Sequence, residues 1–273
     1  VSVESWIVDV LHGLSCARRS LFRAGAVLPF VAFAAVQIGM ILLLAEFTAP
    51  GIHWISVPLV RVLGGEHALH YPMHLVALPG MYEPLYLALL AVVGIPLYAA
   101  GVRQAAVTFQ GRDTRSSLRP SWIALVTVGV VYVVAAVAGP TLSAVLAGHT
   151  GEGAASAGIR AMGVVLGIVG QALFVYSPVA IALSAQSATG ALRQSLRWFS
   201  TYPGPTLILL AVVALINLPG TLLLEHADRI VLKFSPELVI YIMLAGVVVE
   251  AISAFVLFTS IAGLAVGRKQ VGW

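Results

Sequence analysis

Residues 238–267 read LVIYIMLAGVVVEAISAFVLFTSIAGLAVG, with Glu250 as the single charge. A helix needs about 20 mostly apolar residues to cross a hydrocarbon core of roughly 30 Å. This stretch exceeds that length, and its side chains show no alternation of polar and apolar residues, so a β-barrel strand is excluded. The rest of the chain has the same character. Of 273 residues, 60% are apolar and 10% are charged, with 15 Lys+Arg against 11 Asp+Glu. The mean hydropathy is +0.99. A soluble globule of this length has about a quarter of its residues charged. The composition therefore excludes a soluble enzyme, a disordered tail and a nucleic-acid binder with a broad basic face. The one cysteine, Cys16, excludes an internal disulfide and a Cys-rich metal site.

Working outward from that stretch, five more runs qualify. The six predicted spans are Ala24–Leu44, Pro84–Val102, Trp122–Val145, Met162–Ser184, Thr206–Leu224 and Leu238–Gly267. The expected fold is an all-α polytopic bundle of six transmembrane helices in a single membrane domain, residues 1–273. The first run is long and follows 23 residues that include an amphipathic stretch, a poor match to a cleaved signal peptide, whose apolar region is shorter and ends in a small-residue site. Lys and Arg set orientation. One side carries Arg18, Arg19, Arg23, Arg103, Arg112, Arg115, Arg119, Arg193, Arg197, Arg268 and Lys269. The other carries Arg61, Arg160, Arg229 and Lys233. The richer side is expected to be cytoplasmic, with both ends of the chain inside. Acidic residues sort the opposite way: Glu46, Glu66, Glu83, Glu152, Glu225, Asp228 and Glu237 fall outside, and Glu4, Asp9 and Asp113 inside.

The spans group into three hairpins, each entered through a short basic segment: Ala17–Arg23, Arg115–Trp122 and Ala191–Phe199. Before the first span, Val3, Trp6, Ile7, Val10, Leu11 and Leu14 recur at helical spacing, with Glu4, Ser5, Asp9 and His12 on the other face. The segment, residues 1–23, is too short to span and predicts an interfacial amphipathic helix. Leu192, Leu196 and Phe199 repeat the pattern before the fifth span, with Arg193 and Arg197 one turn apart. Arg18, Arg19, Arg193 and Arg197 read either as contacts for lipid heads or a partner, or as anchoring stems of the bundle. The longest outer loop, Ala45–Glu83, carries apolar pieces at Ile52–Val62 and Leu75–Met81, which are expected on the interface or folded back over the bundle. Trp54, Tyr71, Tyr82 and Tyr86 fit an interfacial aromatic belt.

Glu250 is the only ionisable residue inside these six runs. A carboxylate in hydrocarbon is costly, so it carries a proton or faces a polar interior. Gln171 and Tyr132 are its expected neighbours by depth, with Asn217 and Gln37 nearer the outer face. Two readings follow: a proton relay or counter-charge for a cationic substrate, or a neutral acid hydrogen-bonded between helices. His67, His70 and His74, in Glu66-His-Ala-Leu-His-Tyr-Pro-Met-His74, could ligate a transition metal with Glu66, Met73 or Met81, or serve as interfacial hydrogen-bonding groups. No HExxH motif, nucleophile elbow, P-loop or Asp-rich pair occurs, and no histidine lies in a span to hold haem. Beyond that metal, no cofactor is implied.

Packing signals are plain. Gly163-x-x-x-Gly167 with Gly170, and Gly263-x-x-x-Gly267, present small faces along which another helix can approach. Pro29, Pro96, Pro140, Pro178 and Pro219 predict kinks, with breaks expected at Gly139-Pro140 and Pro219-Gly220.

The rhythm of basic stem, span, outer loop and span, carried by Ala17-Arg-Arg-Ser-Leu-Phe-Arg-Ala-Gly25 and Ala191-Leu-Arg-Gln-Ser-Leu-Arg-Trp-Phe-Ser200, resembles bacterial six-span proteins of the YciC-like group and the membrane domain of some glycerophosphoryl diester phosphodiesterases. The resemblance implies a protein of the bacterial inner membrane and no particular activity. The expected function is a non-enzymatic accessory or scaffold subunit that contacts membrane lipids and other membrane subunits and no nucleic acid. The alternatives are a transporter or lipid-handling protein with a mid-membrane site around Glu250, and a metal-dependent function at the outer histidines.

Overall fold

The computed structural model describes residues 3–110, 120–150, 154–184 and 187–267. Arg112, Asp113, Arg115, Arg119, Glu152, Arg268 and Lys269, used in the charge count, lie outside the described residues, as does most of the second basic entry segment. The described residues hold helices and no strand. In hydrocarbon every backbone N–H and C=O must be bonded within its own segment, and a helix achieves this. The helices are α1 (Val3–Leu21), α2 (Ala24–Ala45), α3 (His53–Gly64), α4 (Met73–Leu89), α5 (Ile95–Gln110), α6 (Trp122–Thr150), α7 (Ala154–Phe174), α8 (Tyr176–Ser184), α9 (Ala188–Thr201), α10 (Pro203–Leu224), α11 (Ala227–Lys233) and α12 (Leu238–Gly267). Six segments are long and apolar enough to cross a membrane: Ala24–Ala45, Met73–Thr108, Trp122–His149, Ser156–Ser184, Pro203–Leu224 and Leu238–Gly267. The chain is an all-α, multi-pass membrane protein.

Two spans depart from expectation. The second begins at Met73, eleven residues before Pro84, and takes in much of the predicted outer loop. Pro79 and Pro84 lie inside α4. A proline removes only its own N–H from the ladder, and here Leu75, Leu78 and Met81, spaced by one turn and buried, hold the helix against its neighbours. A π-helical turn, Leu90–Gly94, joins α4 to α5. The wider turn falls where Pro96 would otherwise leave the Val92 carbonyl without its donor. The fourth span breaks between α7 and α8 at Val175, whereas α6 runs through Gly139-Pro140 and α10 through Pro219-Gly220. Pro178 leaves the Phe174 carbonyl without an N–H, and the Ser177 hydroxyl donates to it at 2.5 Å. The neighbouring Leu173 carbonyl accepts from Ser195 Oγ on α9 at 2.7 Å. Ser195 is fully buried, so Ser195→Ala leaves that break short of a donor. We expect a loss of about 1–3 kcal/mol, read as a lower unfolding temperature in detergent; an unchanged temperature would show that the bond is replaced.

The chain forms two compact units. The first takes residues 1–30, 90–212 and 254–273. Its aromatic core stacks Phe30 on Tyr98 at 4.8 Å, with Phe255 edge-on to Phe30 at 5.4 Å and Phe258 5.2 Å from Tyr98. The α6–α7 hairpin packs backbone to backbone. A Cβ on Gly167 would lie 2.6 Å from the Ala136 carbonyl oxygen, one on Gly139 would lie 2.7 Å from that of Gly163, and one on Gly170 would collide with that of Ala135. The glycine face of α7 is therefore occupied within the chain. So is that of α12: a Cβ on Gly263 would sit 2.9 Å from Cys16 Sγ, and one on Gly267 3.0 Å from His12 Nε2, both on α1.

The second unit takes residues 31–89 and 213–253. Its core packs Ile41 and Leu44 of α2 and Phe47 with Val60 of α3, Leu75, Leu78 and Met81 of α4, Ile230 of α11, and Val239, Met243 and Val247 of α12.

Candidate functional site

Glu250 is the thirteenth residue of α12 and lies between Val247 and Ala251, which pack in and against the apolar core of the second unit. Gln37 lies between Ala34 and Ile41 on α2, and Tyr82 follows Met81 on α4, so three helices set polar side chains among residues of that core. Tyr86 Oη donates to Glu250 Oε1 at 2.8 Å. Tyr82 Oη donates to Gln37 Oε1 at 2.6 Å. Gln37 is fully buried, and its Nε2 closes no hydrogen bond among the described residues. The two tyrosine rings stack at 5.8 Å. The result is two hydrogen-bonded pairs, Tyr82 with Gln37 and Tyr86 with Glu250, joined by the stacked tyrosine rings. Such an arrangement gives the carboxyl a hydroxyl donor inside an otherwise apolar helix.

The other residues singled out in the sequence are dispersed. Asn217 belongs to the same unit and donates to the Val213 carbonyl at 2.8 Å and to Ser253 Oγ at 3.3 Å, one turn along α12 from Glu250. Gln171 and Tyr132 belong to the first unit, where Tyr132 packs on Phe258. Tyr82 and Tyr86, read from sequence as interfacial, are the residues that meet Gln37 and Glu250. Their signal was the i, i+4 spacing on what proves to be one helix.

Among the described residues, no three His, Cys, Asp or Glu side chains gather as a metal-ligand set. His67 lies in a short 3-10 turn, Glu66–Leu69, and His70 caps its end. His74, expected outside the spans, is buried as the second residue of the second span, its ring 5.3 Å from Phe47 and 5.9 Å from Tyr71. Glu66 instead pairs with Arg61 at 2.8 Å, both exposed. Cys16 is buried on α1, and burial raises its thiol despite the opposing pull of Arg19.

Just outside the spans, Glu237 accepts from Ser235 Oγ and, at 3.1 Å, from Tyr71 Oη. These donors, Ser235 foremost, hold its carboxyl below its ordinary value. The same contact raises the Tyr71 phenol. A depressed folded-state carboxyl adds stability that is present above the unfolded value, about 4.3, and is lost as pH falls through the folded one. We expect Tyr71→Phe to lower the unfolding temperature slightly at neutral pH and the gap to close at pH below about 4. A gap of equal size at both pH values would contradict this.

A groove of about 470 Å³ on the first unit is lined by Val92, Trp122, Ile123, Val126, Thr127, Val130 and Val131. Its one hydroxyl, Thr127, already donates to the Ile123 carbonyl at 2.8 Å. The lining suits an acyl chain and offers no group for chemistry. No protein-family model, no curated protein and no solved structure matches this chain.

Proposed function

We propose that this chain is a membrane transport protein in which Glu250 takes up and releases a proton as solute moves. The observation that carries the reading is the hydrogen bond of Tyr86 to a carboxyl midway along an apolar helix, with the Tyr82–Gln37 pair stacked beside it through the tyrosine rings. Ionisable groups inside spans mark ion and proton pathways more often than they serve as packing. The buried Gln37 of the same cluster keeps an amide nitrogen, Nε2, without a hydrogen-bond partner among the described residues. Access to water also has a basis. Glu83, exposed, lies three residues from Tyr86 on α4, about 4.5 Å along the axis. A charged side chain at that height draws water to within a turn of the cluster. The test is solute-dependent proton movement in proteoliposomes holding a pH dye, with amines, amino acids and sugars as the panel. The wild-type chain moves protons with at least one class, and Glu250→Gln does not. Equal flux in both proteins, or none with any solute, contradicts the proposal.

An accessory-subunit role keeps one specific observation of its own. Only 11% of the apolar window of α10 is buried, against 28% to 50% for the other spans. Leu215, Ile216, Leu222 and Leu223 stand exposed along it. Lipid or a second protein covers this helix. The glycine faces that argued for a partner in the sequence are filled within the chain. A monodisperse monomer with nothing co-purifying in mild detergent removes this second role.

A further inference from the structure

Helix α1 divides its circumference three ways. Gly13, Cys16, Ala17 and Ser20 are buried, and two of them meet α12: a Cβ on Gly13 would lie 3.0 Å from the Ser260 carbonyl oxygen, and Cys16 fills the space over Gly263. Trp6 covers Gly204 at the start of α10. Ile7, Leu11, Leu14 and Leu21, with Phe22 just beyond the helix, form an exposed apolar stripe. Arg18 and Arg19 close the helix and Arg23 follows it, all exposed. Helix α9 is built alike. Ala191 and Ser195 are buried, Leu196 is exposed, and Arg193 and Arg197 project outward with no acidic residue in the helix. The chain leaves α9 toward α1, since Gly204, under Trp6, lies three residues past the end of α9. Both belong to the first unit. None of the five arginines forms an ion pair among the described residues; the ion pair found there is Arg61 with Glu66.

An apolar stripe that the protein leaves open, flanked by unpaired guanidinium groups, matches one surface: acyl chains beneath anionic phosphates. Guanidinium binds phosphate through two parallel N–H donors, a geometry a zwitterionic headgroup satisfies less well because its own ammonium competes. We infer that α1 and α9 form a binding surface for anionic phospholipid, with Arg18, Arg19, Arg193 and Arg197 holding the phosphates and Ile7, Leu11, Leu14 and Leu196 lying among the chains. Packing against the bundle needs only the small faces of both helices. Among the described residues no ion pair engages the outward arginines.

The experiment is native mass spectrometry of the delipidated full chain in detergent, titrated in turn with dioleoyl phosphatidylglycerol and dioleoyl phosphatidylcholine. Wild-type chain retains the glycerol lipid about tenfold more than the choline lipid at low salt, and the preference shrinks as salt rises. The variant Arg18→Gln/Arg19→Gln/Arg193→Gln/Arg197→Gln loses the preference. Arg229→Gln/Lys233→Gln, a loss of two positive charges on α11, keeps it. Equal retention of the two lipids by wild-type chain, a preference insensitive to salt, or an equal loss in the α11 variant each overturns the inference. The salt titration uses unaltered protein, so it decides the matter even if the fourfold variant fails to fold.

Discussion

Gly170→Leu is expected to abolish the folded protein, while Gly158→Leu on the same helix leaves it intact. The Gly170 position faces the Ala135 carbonyl oxygen so closely that even a methyl group cannot be placed. Relief requires α6 and α7 to separate, because the obstacle is backbone and no rotamer can move it. Separation would also undo the approaches at Gly167 and Gly139, 2.6 and 2.7 Å from carbonyl oxygens for a built Cβ. Overpacking a core costs about 1–3 kcal/mol and occasionally more; three coupled contacts put this substitution at about 3 kcal/mol or above. In membranes, where lipid is as apolar as leucine, close packing is a main source of helix association, so little else compensates. Gly158 meets nothing within 4 Å, and leucine there gains helix propensity. The comparison is read as monodisperse yield and unfolding temperature in detergent. A Gly170→Leu protein with wild-type stability would mean that the hairpin packs otherwise.

Glu250→Gln is expected to keep the fold and remove proton-linked flux by about 100-fold, the scale of losing a positioned proton-transfer group. Glutamine preserves volume and leaves an oxygen for the Tyr86 hydroxyl to bond, so the unfolding temperature moves little. It cannot exchange a proton near neutral pH. Tyr86→Phe removes one donor to the carboxyl and should reduce flux by roughly tenfold or more, the worth of a hydrogen bond to a charged group. Proteoliposome flux and unfolding temperature, measured on the same preparations, separate the two effects. If the acid were structural glue, the pattern would invert, with Glu250→Gln and Tyr86→Phe losing stability together and flux unchanged.

Much of the architecture was legible because a charge-free run of 20 or more residues has few alternatives. The start of the second span was not. Pro79, Glu83 and Pro84 carry the marks of a loop, and only the burial of Leu75, Leu78 and Met81 makes the stretch a helix. That misplacement also hid the site. With Tyr82 and Tyr86 set at the interface, Glu250 had to look to Gln171 and Tyr132, which the structure assigns to the first unit. Glu250 itself stood out as the lone charge in its run. Its partners were concealed because depth along a helix cannot be read until the start of that helix is known. The glycine faces were visible, but whether Gly163, Gly167 and Gly170 met this chain or another depended on contacts that no local pattern encodes. The break at Val175 was hidden for the same reason. Pro140 and Pro219, each beside a glycine, were the expected breaks, yet it is Pro178 that has Ser177 and Ser195 placed to donate to the carbonyls at a break.

The most direct test of the account is infrared difference spectroscopy of the wild-type chain in lipid, stepped between acidic and alkaline pH. The account predicts a carboxylic-acid carbonyl band that appears at acidic pH, is replaced by carboxylate bands at alkaline pH, and is absent from Glu250→Gln, with its frequency displaced in Tyr86→Phe. A spectrum in which Glu250→Gln matches wild type would contradict it, since Glu250 would then hold one protonation state throughout and could carry no proton.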